Sequence, residues 1–128
     1  MDKKILVKEI IDDGKELIEA LDETQFEVKA AMWFYQADSD EWRLLIASPY
    51  VEENGPKKAY NLIQKELKKL SLPSGISLKD ISLLSPQHDL IILMKKAIRT
   101  GAGISDIRFT RNVIDGRLIE DALIYRMI

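Results

Sequence analysis

The chain has 128 residues, 46% of them hydrophobic and 31% charged, which excludes a disordered polymer and suits one globular domain over 1–128. It holds no cysteine, so disulfides and thiol catalysis are excluded. Net charge is −2 but unevenly placed: residues 1–54 carry six basic and fourteen acidic side chains (−8), residues 55–128 thirteen and seven (+6).

The chain starts Met-Asp-Lys-Lys, and its longest apolar run, Ala30 to Tyr35, is far too short to span a bilayer. The start does not read as a signal peptide, and the expected location is the cytoplasm. Lys3 to Leu21 predicts a helix, with Val7, Ile10, Gly14, Leu17 and Leu21 at helical spacing and Ile11 and Ile18 widening the stripe. Gly14 costs helix stability against alanine, so it is expected to admit a close neighbour. Glu9, Asp12, Asp13, Glu16 and Glu19 should form a solvated acidic face. Asp12, Asp13 and Glu16 read as part of that face instead of as metal ligands.

Phe26 to Val51 reads as one long β-hairpin, with strands Val28–Tyr35 and Trp42–Ala47 around the polar loop 36–41. The expected register sets Tyr35 against Trp42, Trp33 against Leu44 and Ala31 against Ile46. Phe26, Val28, Ala30, Met32 and Phe34 should share one face, and Ala31, Trp33 and Tyr35 the other. A strand apolar on both faces should be covered on both, by helices or by a second subunit. Trp33, Tyr35 and Trp42 could form a stacking platform for a base or sugar, but hairpin packing explains them as well.

Gly55-Pro56 opens a second helix with the buried stripe Ala59, Tyr60, Ile63, Leu67 and Leu70. Its outer face carries Lys57, Lys58, Lys65, Lys68 and Lys69, and Leu72-Pro73-Ser74-Gly75 ends it. Ile81 to Leu84 predicts a short buried strand. Ser85-Pro86 predicts the cap and first turn of a third helix, with Leu90, Ile91, Met94, Ala97 and Ile98 inward and Gly101 as terminator. Asp115-Gly116 marks a tight turn between strands Ile104–Ile114 and Arg117–Met127. That turn pairs Ile114 with Arg117. It puts Ile107, Phe109, Val113, Leu118, Ala122 and Ile124 on one face.

The element order α-β-β-α-β-α-β-β implies an α+β (α/β-like) fold, a mixed five-stranded sheet with three helices packed on it. Both helical connections should join parallel strands by crossovers.

Chemistry-bearing groups are few. His88, the single histidine, could pair with Ser85 as base and nucleophile, but Ser85 is expected as a cap. Glu27-Val28-Lys29 resembles the E-x-K element of a large nuclease superfamily, which would imply a metal-binding Asp near a neighbouring strand. Thr100-Gly101-Ala102-Gly103 follows a helix instead of opening one, so it is rejected as a phosphate loop. Lys57–Lys69, with Lys95, Lys96 and Arg99, could grip phosphates. The candidate site is the polar face of the last hairpin: Asp106, Arg108, Thr110, Asn112 and Asp121, with Tyr125 beside them.

The expected function is a small binding module that pairs with itself or with another protein, without cofactor or metal. The alternatives are a metal-dependent nuclease or small-molecule hydrolase, and a nucleic-acid-binding module using the 57–69 helix.

Overall fold

A computed structural model describes residues 4–128. The sheet is five-stranded and mixed, with helices on it, an α+β fold. The strands are β1 (Ala30–Gln36), β2 (Glu41–Ala47), β3 (Ile81–Leu84), β4 (Ile107–Ile114) and β5 (Arg117–Met127), in the order β3-β2-β1-β5-β4. The β2–β3 pair is parallel and the others are antiparallel. The first hairpin has the expected register, Tyr35 to Trp42, Trp33 to Leu44 and Ala31 to Ile46.

Among the described residues there are four α-helices where three were expected: α1 (Lys8–Asp22), α2 (Pro49–Asn54), α3 (Pro56–Lys69) and α4 (Asp89–Ala97). The additional α2 starts by the logic read at Ser85-Pro86. Ser48 Oγ accepts from Tyr50 N–H, and Pro49 takes the first position, where a missing N–H costs nothing. At α4 the expected cap is wrong. Ser85 closes a turn, accepting from Gln87 N–H, and the helix cap falls three residues later, with His88 Nδ1 accepting from Leu90 N–H at 3.1 Å. His88 is therefore a helix cap, set apart from Ser85 in role. That helix also stops at Ala97, short of Gly101, because Thr100 is drawn to the sheet: its N–H donates to Met127 O and its Oγ1 accepts from Met127 N–H.

The expected helix start at Lys3 lies outside the described residues, and α1 begins only at Lys8. Residues 4–7 run extended, held by side chains of the first hairpin. Lys4 N–H donates to Asp40 Oδ1 and Lys4 O accepts from Trp42 Nε1–H. Leu6 thereby replaces Val7 in the core, and Val7 is exposed. Asp13, expected in solvent, is buried and accepts from Ser74 N–H at 2.7 Å.

Two cores lie on opposite faces of the sheet. Helices α1, α2 and α3 cover one, where Leu17, Ile18 and Leu21 meet Trp33, Leu44, Ile46 and Ile63. Helix α4 covers the other, where Leu90, Ile91 and Met94 meet Met32, Leu45, Ile119 and Ile124. Strand β1 is thus sandwiched, with Met32 and Trp33 both buried. Phe26 and Val28 lie with Trp33 and not with Met32, because regular alternation starts only at Ala30. The second helical connection differs from expectation too. It joins β3 and β4 at opposite edges of the sheet, and the pairings between make them antiparallel.

A β-bulge fixes how β5 meets β1. Arg126 lies opposite Ala31 and Ile124 opposite Met32, so Tyr125 is the extra residue. Tyr125 and Arg126 both serve the α1 side. Tyr125 Oη accepts from Trp33 Nε1–H at 2.9 Å and donates to Ile11 O at 2.6 Å. Gly14 makes room for this pair: a Cβ there would collide with Tyr125 Oη and lie 2.8 Å from Trp33 Nε1. Burial holds the Tyr125 phenol well above its ordinary pKa, an effect the Trp33 donor partly offsets. Arg126 donates to both oxygens of Asp22, at 2.9 and 2.8 Å, and to Val28 O. An Arg with its carboxylate and carbonyls in place closes this end of the sheet without an unpaired charge.

Candidate functional site: the last hairpin and its neighbours

The Asp115-Gly116 turn pairs Ile114 with Arg117 as expected, both turn residues having positive φ, 48° and 77°. At the base of this hairpin the alternation runs as predicted, with Ile107 and Phe109 against the α4 core. It fails beyond Arg111, which has φ of 48°. A residue in the left-handed region turns the strand, so Ile114 and Ile119 take the core positions expected for Val113 and Leu118. Val113 and Leu118, opposite one another, are left 65% and 51% exposed.

Three of the six candidate residues come together. Asp121, only 1% exposed, receives Arg108 Nε–H at 2.8 Å and Nη2–H at 2.7 Å, with Thr110 Oγ1–H at 3.2 Å. The buried carboxylate raises the affinity of the guanidinium for its proton. The Arg108 side chain is 47% exposed and sits over the Trp42 ring, 5.5 Å from its centre, a cation–π contact. Asp106 is exposed nearby. Asn112 is also exposed but turns back on the strand, its Nδ2–H donating to Thr110 O. Tyr125, expected on this surface, is buried, because the bulge turns it toward Ile11 and Trp33.

The Arg108–Trp42 contact crosses from β4 to β2 and was missed from sequence. Long-range signal was absent, since only the strand order β2-β1-β5-β4 brings the two within reach. Trp42 also packs against Tyr35, ring centres 5.3 Å apart. Tyr35 Oη–H donates to Asp40 Oδ1 at 2.7 Å, and this bond, helped by burial, pushes the phenol pKa up to about 12. Asp40 is held below its ordinary range, first by the Lys4 N–H donor and then by Tyr35.

Other sequence candidates separate. Glu27 and Lys29 pair with each other at 2.6 Å just before β1 begins, where Lys29 N–H donates to Ala47 O. Among the described residues no group of three acidic or histidine side chains could hold a metal ion. Lys57, Lys58, Lys65, Lys68 and Lys69 are exposed along α3, and Lys69 reaches Glu66. No helix among the described residues is long and apolar enough to cross a membrane. No protein-family model, curated protein or solved structure matches the chain.

Proposed function

We propose that the chain acts by binding, and that it pairs with a second copy of itself through the outer part of the β4–β5 hairpin. The carrying observation is the cross-strand pair Val113 and Leu118, large apolar side chains directly opposed and more than half exposed. Such a pair stabilises more when another apolar surface removes it from water.

The surroundings favour a copy of the same surface. Strand β4 is at the edge of the sheet, and among the described residues no backbone hydrogen bond leaves its outer side. The middle of that edge is blunted against simple strand addition by the turned backbone of Arg111 and by Asn112 on Thr110 O. Contact is thereby directed to the tip. There Arg117 and Asp38 line one cleft together with Leu118. A two-fold axis beside this cleft can set each Arg117 against its mate's Asp38, since an isologous contact presents the same patch twice.

Sedimentation velocity from low to high micromolar concentration tests this. A dimer that Leu118→Glu converts to monomer, with the circular dichroism spectrum kept, is the expected result. A strict monomer at high micromolar concentration, or a dimer indifferent to Leu118→Glu and Val113→Glu, overturns it.

A further inference from the structure

Away from the hairpin tip, a cleft opens between the extended segment 4–7, the start of α1, the start of β2 and the 74–80 loop. Its inner part, of about 310 Å³, is walled by Ile5, Ile10, Trp42 and Ile76, with Trp33 reaching it from the core. Its mouth is charged and includes Lys4, Glu41, Arg43, Lys79 and Asp80. Apolar walls with a few polar groups at one end are the ordinary form of a small-molecule site.

Two features go beyond an incidental groove. The first is fixed geometry. Trp42 Nε1–H is tied to Lys4 O, and Lys4 N–H to Asp40, so the indole and the segment facing it are held as a pair before any ligand arrives. Ile5, on that segment, is 80% exposed even though Leu6 beside it is buried. The second is the charge at the mouth. Arg43 is spent on Ser82 Oγ, Lys79 O and Ile81 O, and one oxygen of Asp80 accepts from Ser77 N–H. The ammonium groups of Lys4 and Lys79 have no ion pair within 4.0 Å among the described residues, and the carboxylates near them are Glu41 and Asp80 at the mouth and, for Lys4, Asp40.

We infer that this cleft binds a small amphipathic anion, a flat apolar body against Trp42, Ile5 and Ile76 with a carboxylate toward Lys79 and Lys4. The flat body suits the part of the Trp42 side chain that lines the cleft, beside the ring's contacts with Arg108 and Tyr35, where the indole N–H is already bonded to Lys4 O. The carboxylate suits two ammonium groups that no close ion pair holds among the described residues. This site is independent of pairing through Val113 and Leu118.

The test is a titration followed by amide nitrogen–proton correlation spectra, with 2-naphthoate as probe and neutral 2-naphthylmethanol as its control. Saturable shifts of the Trp42 indole N–H and of the Ile5, Gly75, Ile76 and Lys79 amides are expected, with the alcohol binding several-fold more weakly. Lys79→Glu and Ile5→Asp alter exposed positions, so the spectra should report a kept fold. Each should weaken naphthoate by about tenfold. No saturable shift up to millimolar probe, shifts centred elsewhere, or equal binding of acid and alcohol would overturn the assignment.

Discussion

The two ends of β5 obey different rules. From Ala122 to Met127 every residue is buried, and each polar group has an assigned partner: Tyr125 between Trp33 and Ile11, Arg126 on Asp22 and Val28 O. From Arg117 to Leu118 the same strand lies in solvent, and Leu118 has only Val113 opposite it. Residue type does not distinguish the ends, since leucine and arginine occur in both. The neighbours do: one end pairs with β1 and reaches α1 through Tyr125 and Arg126, the other projects past Arg111, where the strand turns. An interior end is specified by polar pairing as much as by apolar area, and a projecting end is left free to meet something else.

The largest effect should come from removing the guanidinium at the interior end. Arg126→Ala strips Asp22 and Val28 O of their partner, and a loss of about 3 kcal/mol is expected in urea unfolding. Gly14→Ala comes next, at about 2 kcal/mol, because its methyl must displace Tyr125 Oη from Trp33. Tyr125→Phe leaves Trp33 Nε1–H and Ile11 O unpaired without changing shape, and about 1–2 kcal/mol should be lost. At the projecting end, Val113→Thr should change monomer stability by under about 0.5 kcal/mol, yet weaken self-association. A loss at Val113 rivalling that at Tyr125 would erase the distinction between the two ends.

A separate expectation is a pH dependence from Tyr35. Its pKa is raised from 10.0 to about 12, so the folded chain holds this proton more tightly than the unfolded chain does. The contribution is whole below about pH 10, falls as pH rises toward 12, and is gone above that. Tyrosinate absorbance in a Tyr125→Phe background should show a late phenol near 12, and Asp40→Asn should bring it earlier, because the Asp40 hydrogen bond is the main cause of the shift. Ionisation of Tyr35 near 10.0 in the wild-type chain would remove this bond from the account.

Much of the scaffold was legible because its signals are local. The Asp115-Gly116 turn, Pro56 behind Gly55, and the hairpin register around Tyr35 and Trp42 depend on residues within a few positions of one another. The errors fall where a distant group competes with a local preference. Helix α1 starts late because Trp42 and Asp40 claim Lys4. Helix α4 ends early because Met127 claims Thr100. Within the candidate site, Arg108, Thr110 and Asp121 were readable from strand pairing, since β4 and β5 are joined by a tight turn. The burial of Tyr125 and the exposure of Val113 were not, because one bulge and one left-handed residue each undo a strict alternation.

The linear order of residues determined the kinds of element, the two tight hairpins and a first strand apolar on both sides, since periodicity and turn chemistry act over a few neighbours. Folding alone decided that β5 would lie between β1 and β4, that Tyr125 would reach across to Trp33 and Ile11, and that Arg108 would come over Trp42. Those outcomes depend on which strands become adjacent, and adjacency is settled by how the faces of separate elements fit together.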